Sequence, residues 1–377
     1  MKINRIHAIA WKEVLQIRRD VRSILIVVAM PVILMLAFGY GVSFDIKHLP
    51  TYVYDRENSQ QSRDLIQRFR SSEYFNVRKQ VDNYRDLVAA IDSGDAQLAI
   101  VIPAQFSQRL AEGGAVPVQA IVDGTDGNSA NVGMNYADAV ALGYSQQIQL
   151  DWVRQKGLRV MDPPLSVDAR TWFNEDLESM ANIVPGVVAI VMAVVGTFLT
   201  SLTIAREWER GTMEQLISTP VSPLELMIGK LSPYLAIGLA DTALCAGMGV
   251  WWFGVPFRGS VAVLFLSSTL FLVVVLSLGY FLSVTLKSQL AASQASMIAT
   301  FLPAFLLSGF IFPIDQMPVF IQVVTHVIPA RYFMSIIRAV FLKGTPLALL
   351  WEDMLALFIF ATVLMLVATR AFQKRLK

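Results

Sequence analysis

The chain has 377 residues, 55% of them hydrophobic and 16% charged, with a mean hydropathy of +0.53 and a formal net charge of +2. So apolar a composition at this length excludes an ordinary soluble domain, and so small a net charge carries no sign of a nucleic-acid partner. The single cysteine, Cys245, excludes an intrachain disulfide, and His7, His48 and His326 are too far apart to show ligand spacing, so no metal site is expected.

In chain order, residues 1–22 predict a cytoplasmic amphipathic interface helix. Ile6, Ala10, Val14 and Ile17 fall at i, i+4, i+8 and i+11 and form one apolar stripe, with Lys12, Glu13, Gln16 and Arg18 on the other faces. Such a helix suits either an anionic membrane surface or a protein partner. Residues 23–43 are the first of six apolar stretches near the roughly 20 residues that cross a bilayer core; the others are 183–205, 231–254, 260–286, 290–312 and 347–369. AFGYGVSFDIKH, at the end of the first, offers no small-x-small cleavage site, so that stretch reads as a retained anchor.

Residues 44–182 predict a separate α/β domain. TYVYD, FNVRKQV, AQLAIVIP and VPVQAIVD suit strands, with helical patterns at Ser62–Arg70, at NYRDLVAAIDSG and from about Ser129 to Lys156. This alternation favours a small sheet with helices packed on it. DGTDGNSAN groups Asp123, Asp126 and Asn128 but departs from the calcium-loop spacing and lacks its closing Glu. Turn chemistry followed by a helix cap accounts for the same residues.

Lys and Arg near the span ends set the orientation. Lys2, Arg5, Lys12, Arg18, Arg19 and Arg22, then Arg206, Arg210, Lys230 and Lys287, then Arg370, Lys374, Arg375 and Lys377 collect on one side. Both termini are therefore expected in the cytoplasm. The expected fold is an α-helical membrane protein of six transmembrane helices, with an α/β extracytoplasmic domain between helices 1 and 2. Residues 183–377 hold helices 2–6, a re-entrant segment at 313–344 and a short cytoplasmic tail. Pro313, Pro318 and Pro329 cut that segment into helices too short to cross. Asp241 falls mid-span, where a charge costs several kcal/mol unless paired or neutral. It reads either as a substrate or proton contact or as a hydrogen-bonded packing residue.

The most elaborate polar segment is AREWERGTMEQLISTPVSPLELMIGK, residues 205–230. Gly211 interrupts the helix leaving the second span, and Thr212 with Gln215 matches a capping box for a short helix at about 212–219. Met213, Leu216 and Ile217 give that helix a small apolar face. STPVSP ends it, and Ser222, Pro223 and Glu225 open the next helix as N-cap, N1 and N3. A stiff elbow of this kind suits a docking helix for a soluble partner, or an interfacial helix packed on lipid and its own bundle.

This segment resembles the cytoplasmic loop of type-2 ATP-binding-cassette (ABC) exporter permeases, of the multidrug type with a large periplasmic domain. The matching positions are Arg206, Glu207, Glu209, Gly211, Thr212, Glu214, Leu216, Pro220, Gly229 and Lys230. The resemblance runs over nearly the whole chain and includes DGTDGNSANV, TWFNEDLESMANIVPG and LSGFIFPIDQMPVFIQVVTHVIPARYFMSIIRAVFLKG. It implies a permease subunit in the bacterial inner membrane that works with a second, identical or related permease subunit and with a cytoplasmic ABC ATPase subunit. It further implies that residues 206–230 are the coupling helix, with ATPase-coupling roles at Arg206, Glu207, Glu209, Gly211, Thr212, Glu214, Leu216 and Pro220. The N-terminal helix also lies on the ATPase in that family. No cofactor is expected in this chain, because ATP and Mg belong to the partner ATPase. Gly229-Lys230 has Leu224 and Leu231 where a phosphate-binding loop needs Gly and Ser or Thr. A periplasmic adaptor is a further partner that the outer domain raises. The competing classes are a membrane-anchored sensor or scaffold, which would need a cytoplasmic output domain, and a membrane hydrolase, for which no G-x-S-x-G or nucleophile-base set is present. A transporter without its own catalytic site is the reading that remains.

Overall fold

The computed structural model describes residues 3–41, 48–112, 116–155 and 179–372. Two compact units divide the chain, one of Met1–Val42 with Thr171–Lys377 and one of Ser43–Arg170. The first unit opens with α1 (Ile3–Arg19) and α2 (Val21–Gly41). The second holds β1 (Leu49–Asp55), α3 (Gln60–Ser71), β2 (Phe75–Gln80), α4 (Tyr84–Asp92), β3 (Leu98–Ile102), α5 (Phe106–Ala111), β4 (Gln119–Val122) and α6 (Gly127–Gln155). The chain returns to the first unit with α7 (Ser179–Glu209), α8 (Met213–Ser218) and α9 (Pro223–Gly247), which a wide π turn continues over Met248–Trp252. Then come α10 (Val261–Leu286), α11 (Gln289–Leu307), α12 (Val319–Thr325), α13 (Pro329–Arg338, continued by a π turn over Ala339–Lys343) and α14 (Trp351–Ala371).

In the sheet-bearing unit the strand order is β2-β1-β3-β4; β1 lies parallel to β2 and β3, and β4 closes the edge antiparallel to β3. Alternation along β1 sends Leu49, Thr51 and Val53 to one face and Tyr52 and Tyr54 to the other. The first face packs on α3, α5 and α6 through Leu65, Phe69, Phe106 and Tyr144; the second packs on α4 through Leu87. Ser59 and Asn83 cap α3 and α4 with their side-chain oxygens. Helix α5 was not expected from the sequence, and Phe106 with Leu110 at i, i+4 is its only apolar signal. At DGTDGNSAN, Asp123 accepts from the Thr125 N–H at 2.9 Å and from its hydroxyl, and Ser129 donates to Asp126. The Thr125 hydrogen bonds hold the Asp123 carboxyl below its usual range. Turn chemistry therefore engages both acids, while the Asn128 side chain lies outside the described residues.

Among the described residues of the helical unit, five helices are long and apolar enough to cross a membrane: Ser179–Glu209, Pro223–Trp252, Val261–Leu286, Gln289–Leu307 and Trp351–Ala371. Val319–Thr325 with Pro329–Lys343 forms a pair bent by 85° that makes a sixth if counted as one span. The stretch read as 23–43 is helical as α2 over Val21–Gly41, 21 residues, and Val27–Gly41 is the unbroken part of its apolar run that lies among the described side chains. Helix α11 stops earlier than the 290–312 reading because Gly309 turns left-handed at φ +84°. Lys2, Lys374, Arg375 and Lys377, used for orientation, lie outside the described residues.

Helix α7 is apolar on every side and is the most enclosed of the long helices, with 89% of its central window buried. Its hydroxyls turn inward on their own helix: Thr197 donates to Ala193 O, Thr200 to Gly196 O and Thr203 to Thr200 O. Helix α10 crosses it at Gly279, where a Cβ would stand 2.4 Å from the Thr197 carbonyl oxygen. Further along the same pair, the Ser283 hydroxyl accepts the Ile204 and Ala205 N–H groups at 3.0 and 2.9 Å. The two arginines of the proline-broken segment are engaged by backbone carbonyls. Arg331 donates to Gln322 O at 3.3 Å near the end of α12, and Arg338 donates to Phe310 O at 3.1 Å.

Candidate functional site

The elbow that joins α7 to α9 forms because Gly211 adopts φ +70°, which lets the chain leave α7 at a sharp angle. The Gly211 N–H closes the helix on Trp208 O at 3.2 Å. The Thr212 capping box expected from the sequence does not form. Thr212 already has helical backbone angles, and its hydroxyl turns back to the Glu207 carboxylate instead of capping α8. The second cap does form: Ser222 Oγ accepts the Glu225 N–H at 3.3 Å, and Glu225 accepts the Ser222 N–H at 3.0 Å. Ser222→Ala is accordingly expected to lower stability by about 1 kcal/mol, read as a lower thermal midpoint of the solubilised chain.

The small apolar face of α8 is turned into the molecule. Met213 is 1% exposed, and it packs with Ile204, Leu226, Met227 and Tyr280; Leu216 sits half-buried against the same cluster. Among the described side chains, those that α8 leaves open are polar, with Gln215 and Ser218 exposed and Pro220 following. The Glu214 and Ile217 side chains lie outside the described residues.

Beside the elbow lies a charge network that the sequence reading did not assemble. Lys230, about two turns inside α9, and Glu13, from α1, are each 1% exposed, and they form an ion pair. Lys230 also reaches Glu207 at 3.2 Å, and Glu207 takes a second cation, Lys12, at 2.8 Å. Tyr234 extends its hydroxyl to Glu13 at 3.5 Å. Two carboxylates and two ammonium groups balance, which is the condition for burying charge at tolerable cost. With Thr212 donating to Glu207, one network ties together α1, α7, α8 and α9.

Helix α1 lies directly on α9, because Gly229 leaves room for it: a Cβ there would meet Ile9 Cβ at 2.8 Å and the Ile6 carbonyl oxygen at 3.1 Å. The contact face of α1 runs through Ile6, Ile9 and Glu13 at i, i+3 and i+7, with Ala10 and Ile17 partly buried beside it and Val14 exposed. Arg5 fastens the start of α1 to the elbow, donating to Pro220 O and standing 3.7 Å from Glu225. Arg206 pairs with Asp20 at 3.5 Å at the other end. Glu209 accepts the Gln289 N–H at 2.7 Å and so links the end of α7 to the start of α11. Of the residues singled out in the elbow, Arg206, Glu207, Glu209, Thr212, Leu216 and Pro220 thus all make contacts that fix its geometry. Glu13 was assigned to the polar face of α1, and the structure corrects this. The available signals were its i+7 spacing from Ile6 and a lone Lys230 at the mouth of an apolar run.

Asp241 is not part of this arrangement. It lies eleven residues beyond Lys230 on α9, about 16 Å further along the axis, buried, with Oδ2 lacking a hydrogen-bond partner among the described residues.

Comparison with known proteins adds a family match and relatives of similar length. A family model described as ABC-2 family transporter protein matches residues 22–370. The chain is 38% identical over 365 residues, 96% of its length and 94% of the relative's, to the probable multidrug ABC transporter permease YbhS of Escherichia coli strain K12. It is 26% identical to the probable multidrug ABC transporter permease YbhR of the same organism, over 94% of this chain and 95% of that one. The inner membrane transport permease YhhJ, also of Escherichia coli, is 26% identical over 373 residues.

Proposed function

The chain belongs to the ABC-2 transporter family and is a permease subunit of an ABC exporter, and from that premise we propose how it is driven. A family of this kind works with an ATPase subunit, to which ATP and Mg belong. The elbow, α8 with the turn through Pro220, is the coupling helix, and it meets the ATPase with its polar face rather than its apolar one. Helix α1 moves with it. The observation that carries this reading is the Glu13–Lys230–Glu207 network, buried except at its exposed Lys12 end, which makes α1, α7, α8 and α9 a single body at one end of the bundle. A push on α8 is then delivered to α7 without being absorbed by a flexible loop.

The finer reading places both termini in the cytoplasm of a bacterial cell and the chain in its inner membrane. Helix α2 is the first of six spans, the bent α12–α13 pair is re-entrant, and the sheet-bearing unit lies outside. A second permease subunit, identical or related, completes the pathway, with Asp241 as an intramembrane contact. A periplasmic adaptor meets the outer unit. The relatives named as probable multidrug permeases support a drug-type substrate.

The test uses the tagged full chain, solubilised gently from its native membranes, with bound ATPase measured for the parent and for Gln215→Trp and Ser218→Arg. Both positions are exposed, and such surface changes ordinarily leave stability within about 0.5 kcal/mol. A nucleotide-hydrolysing subunit is expected with the parent, and its recovery is expected to fall about tenfold or more in each variant. Undiminished recovery in both variants would remove α8 from the interface.

A further inference from the structure

Helix α1 rests on α9 and is bridged to α7 by long side chains, in the pairs Lys12–Glu207 and Arg206–Asp20. Between these bridges a cleft of about 1120 Å³ stays open. That exceeds the roughly 300–1,000 Å³ of most small-molecule pockets. Its lining has two chemistries. Trp11, Phe198 and Leu202 supply apolar wall, while Arg19 and Arg210 supply cations that have no carboxylate partner among the described residues. Asp20 is the only acid among the described residues of the lining, and Arg206 already engages it.

We propose that this cleft holds an anionic phospholipid, with Arg19 and Arg210 on the headgroup phosphate and the acyl chains along Phe198 and Leu202. The occupant is inferred from the pairing of chemistries at one place. A free phosphate or nucleotide would use the basic half and leave the apolar half wet, whereas a neutral lipid would leave two guanidinium groups unanswered. Guanidinium presents paired N–H donors that match a phosphate bidentately. Basic pockets between helices at a membrane face are established headgroup sites. Trp11, 58% exposed, is the residue type that settles at the headgroup level. The site deepens the proposed function and rests on its placing this end of the bundle at the membrane surface: lipid here braces α1, and with it the coupling elbow, against the bilayer.

The experiment uses the full chain in detergent micelles with phosphatidylglycerol carrying a photoactivatable group on one acyl chain, and maps the labelled peptides. Labelling is expected on the segments from Ala8 to Asp20 and from Phe198 to Arg210. Unlabelled phosphatidylglycerol should displace the probe, and phosphatidylcholine or inorganic phosphate at the same concentration should not. Arg19→Gln with Arg210→Gln should weaken binding about twenty-five-fold, about fivefold for each cation. The proposal is overturned if phosphatidylcholine competes equally, if inorganic phosphate displaces the probe, or if the double variant labels like the parent. The competition arms need no variant to fold. Bound ATPase is assayed in the same preparations. A chain that labels selectively but carries no ATPase would retain the lipid site and sink the coupling reading; the opposite pattern would do the reverse.

Discussion

Lys230→Met is expected to release α1 from the bundle and to separate ATP hydrolysis from transport. The ammonium of Lys230 lies between Glu13 and Glu207, and among the described residues the substitution leaves buried Glu13 without an ion-pair partner and Glu207 with Lys12. Removing one partner of a buried pair costs about 3–5 kcal/mol, because the remaining charge keeps its desolvation cost without compensation. What else holds α1 is lighter: Ile6 and Ile9 over Gly229, Ile17 against the bundle core, and the Arg5–Glu225 and Arg206–Asp20 pairs near its two ends. Hydrogen exchange across residues 3–19 should therefore rise toward that of an unpacked helix while the spans stay protected. In the assembled exporter, hydrolysis should continue with transport reduced. Adding Glu13→Gln should restore most of the protection, because it removes the stranded charge and Glu207 keeps Lys12. If Lys230→Met left exchange over 3–19 unchanged, the network would not be what fastens α1.

Much of this was legible in the sequence, for identifiable reasons. The four strands stood out because each is a short apolar or alternating run bounded by turn residues, and the Ser222–Glu225 box because both partners lie within four residues. The same local logic failed at Thr212, where the pattern was equally good. Glu207, five residues back on the preceding helix, competes for its hydroxyl, and only the turn at Gly211 brings the two together. The direction of the α8 apolar face was also hidden. Met213 could pack on a partner or on Tyr280, and the sequence does not say that α10 brings Tyr280 there. The network was out of reach for a related reason: Glu13 and Lys230 are 217 residues apart, and a Glu on an amphipathic helix ordinarily marks the solvent side.

A rigid coupling body is useful only if its motion reaches the rest of the bundle, and Gly279→Val is expected to break that connection. Where α10 crosses α7 at Gly279, an added Cβ would stand 2.2 Å from Thr200 Oγ1 and 2.4 Å from the Thr197 carbonyl oxygen. The hydroxyl can rotate or be trimmed, but the carbonyl belongs to helix backbone and cannot yield without parting the helices. Overpacking of this kind costs about 1–3 kcal/mol, and more when backbone is the obstacle. Displacing α10 also strains the Ser283 hydrogen bonds to Ile204 and Ala205, just before the network at Glu207. The variant should thus show a lower thermal midpoint, together with transport lost more completely than ATPase binding, since α8 and its polar face are still formed. Thr200→Ala in the same chain should restore little, because it relieves only the side-chain half of the clash. Full recovery by Thr200→Ala would mean that the helices are held apart by the hydroxyl and not by backbone contact, and that α7 and α10 can slide rather than move together.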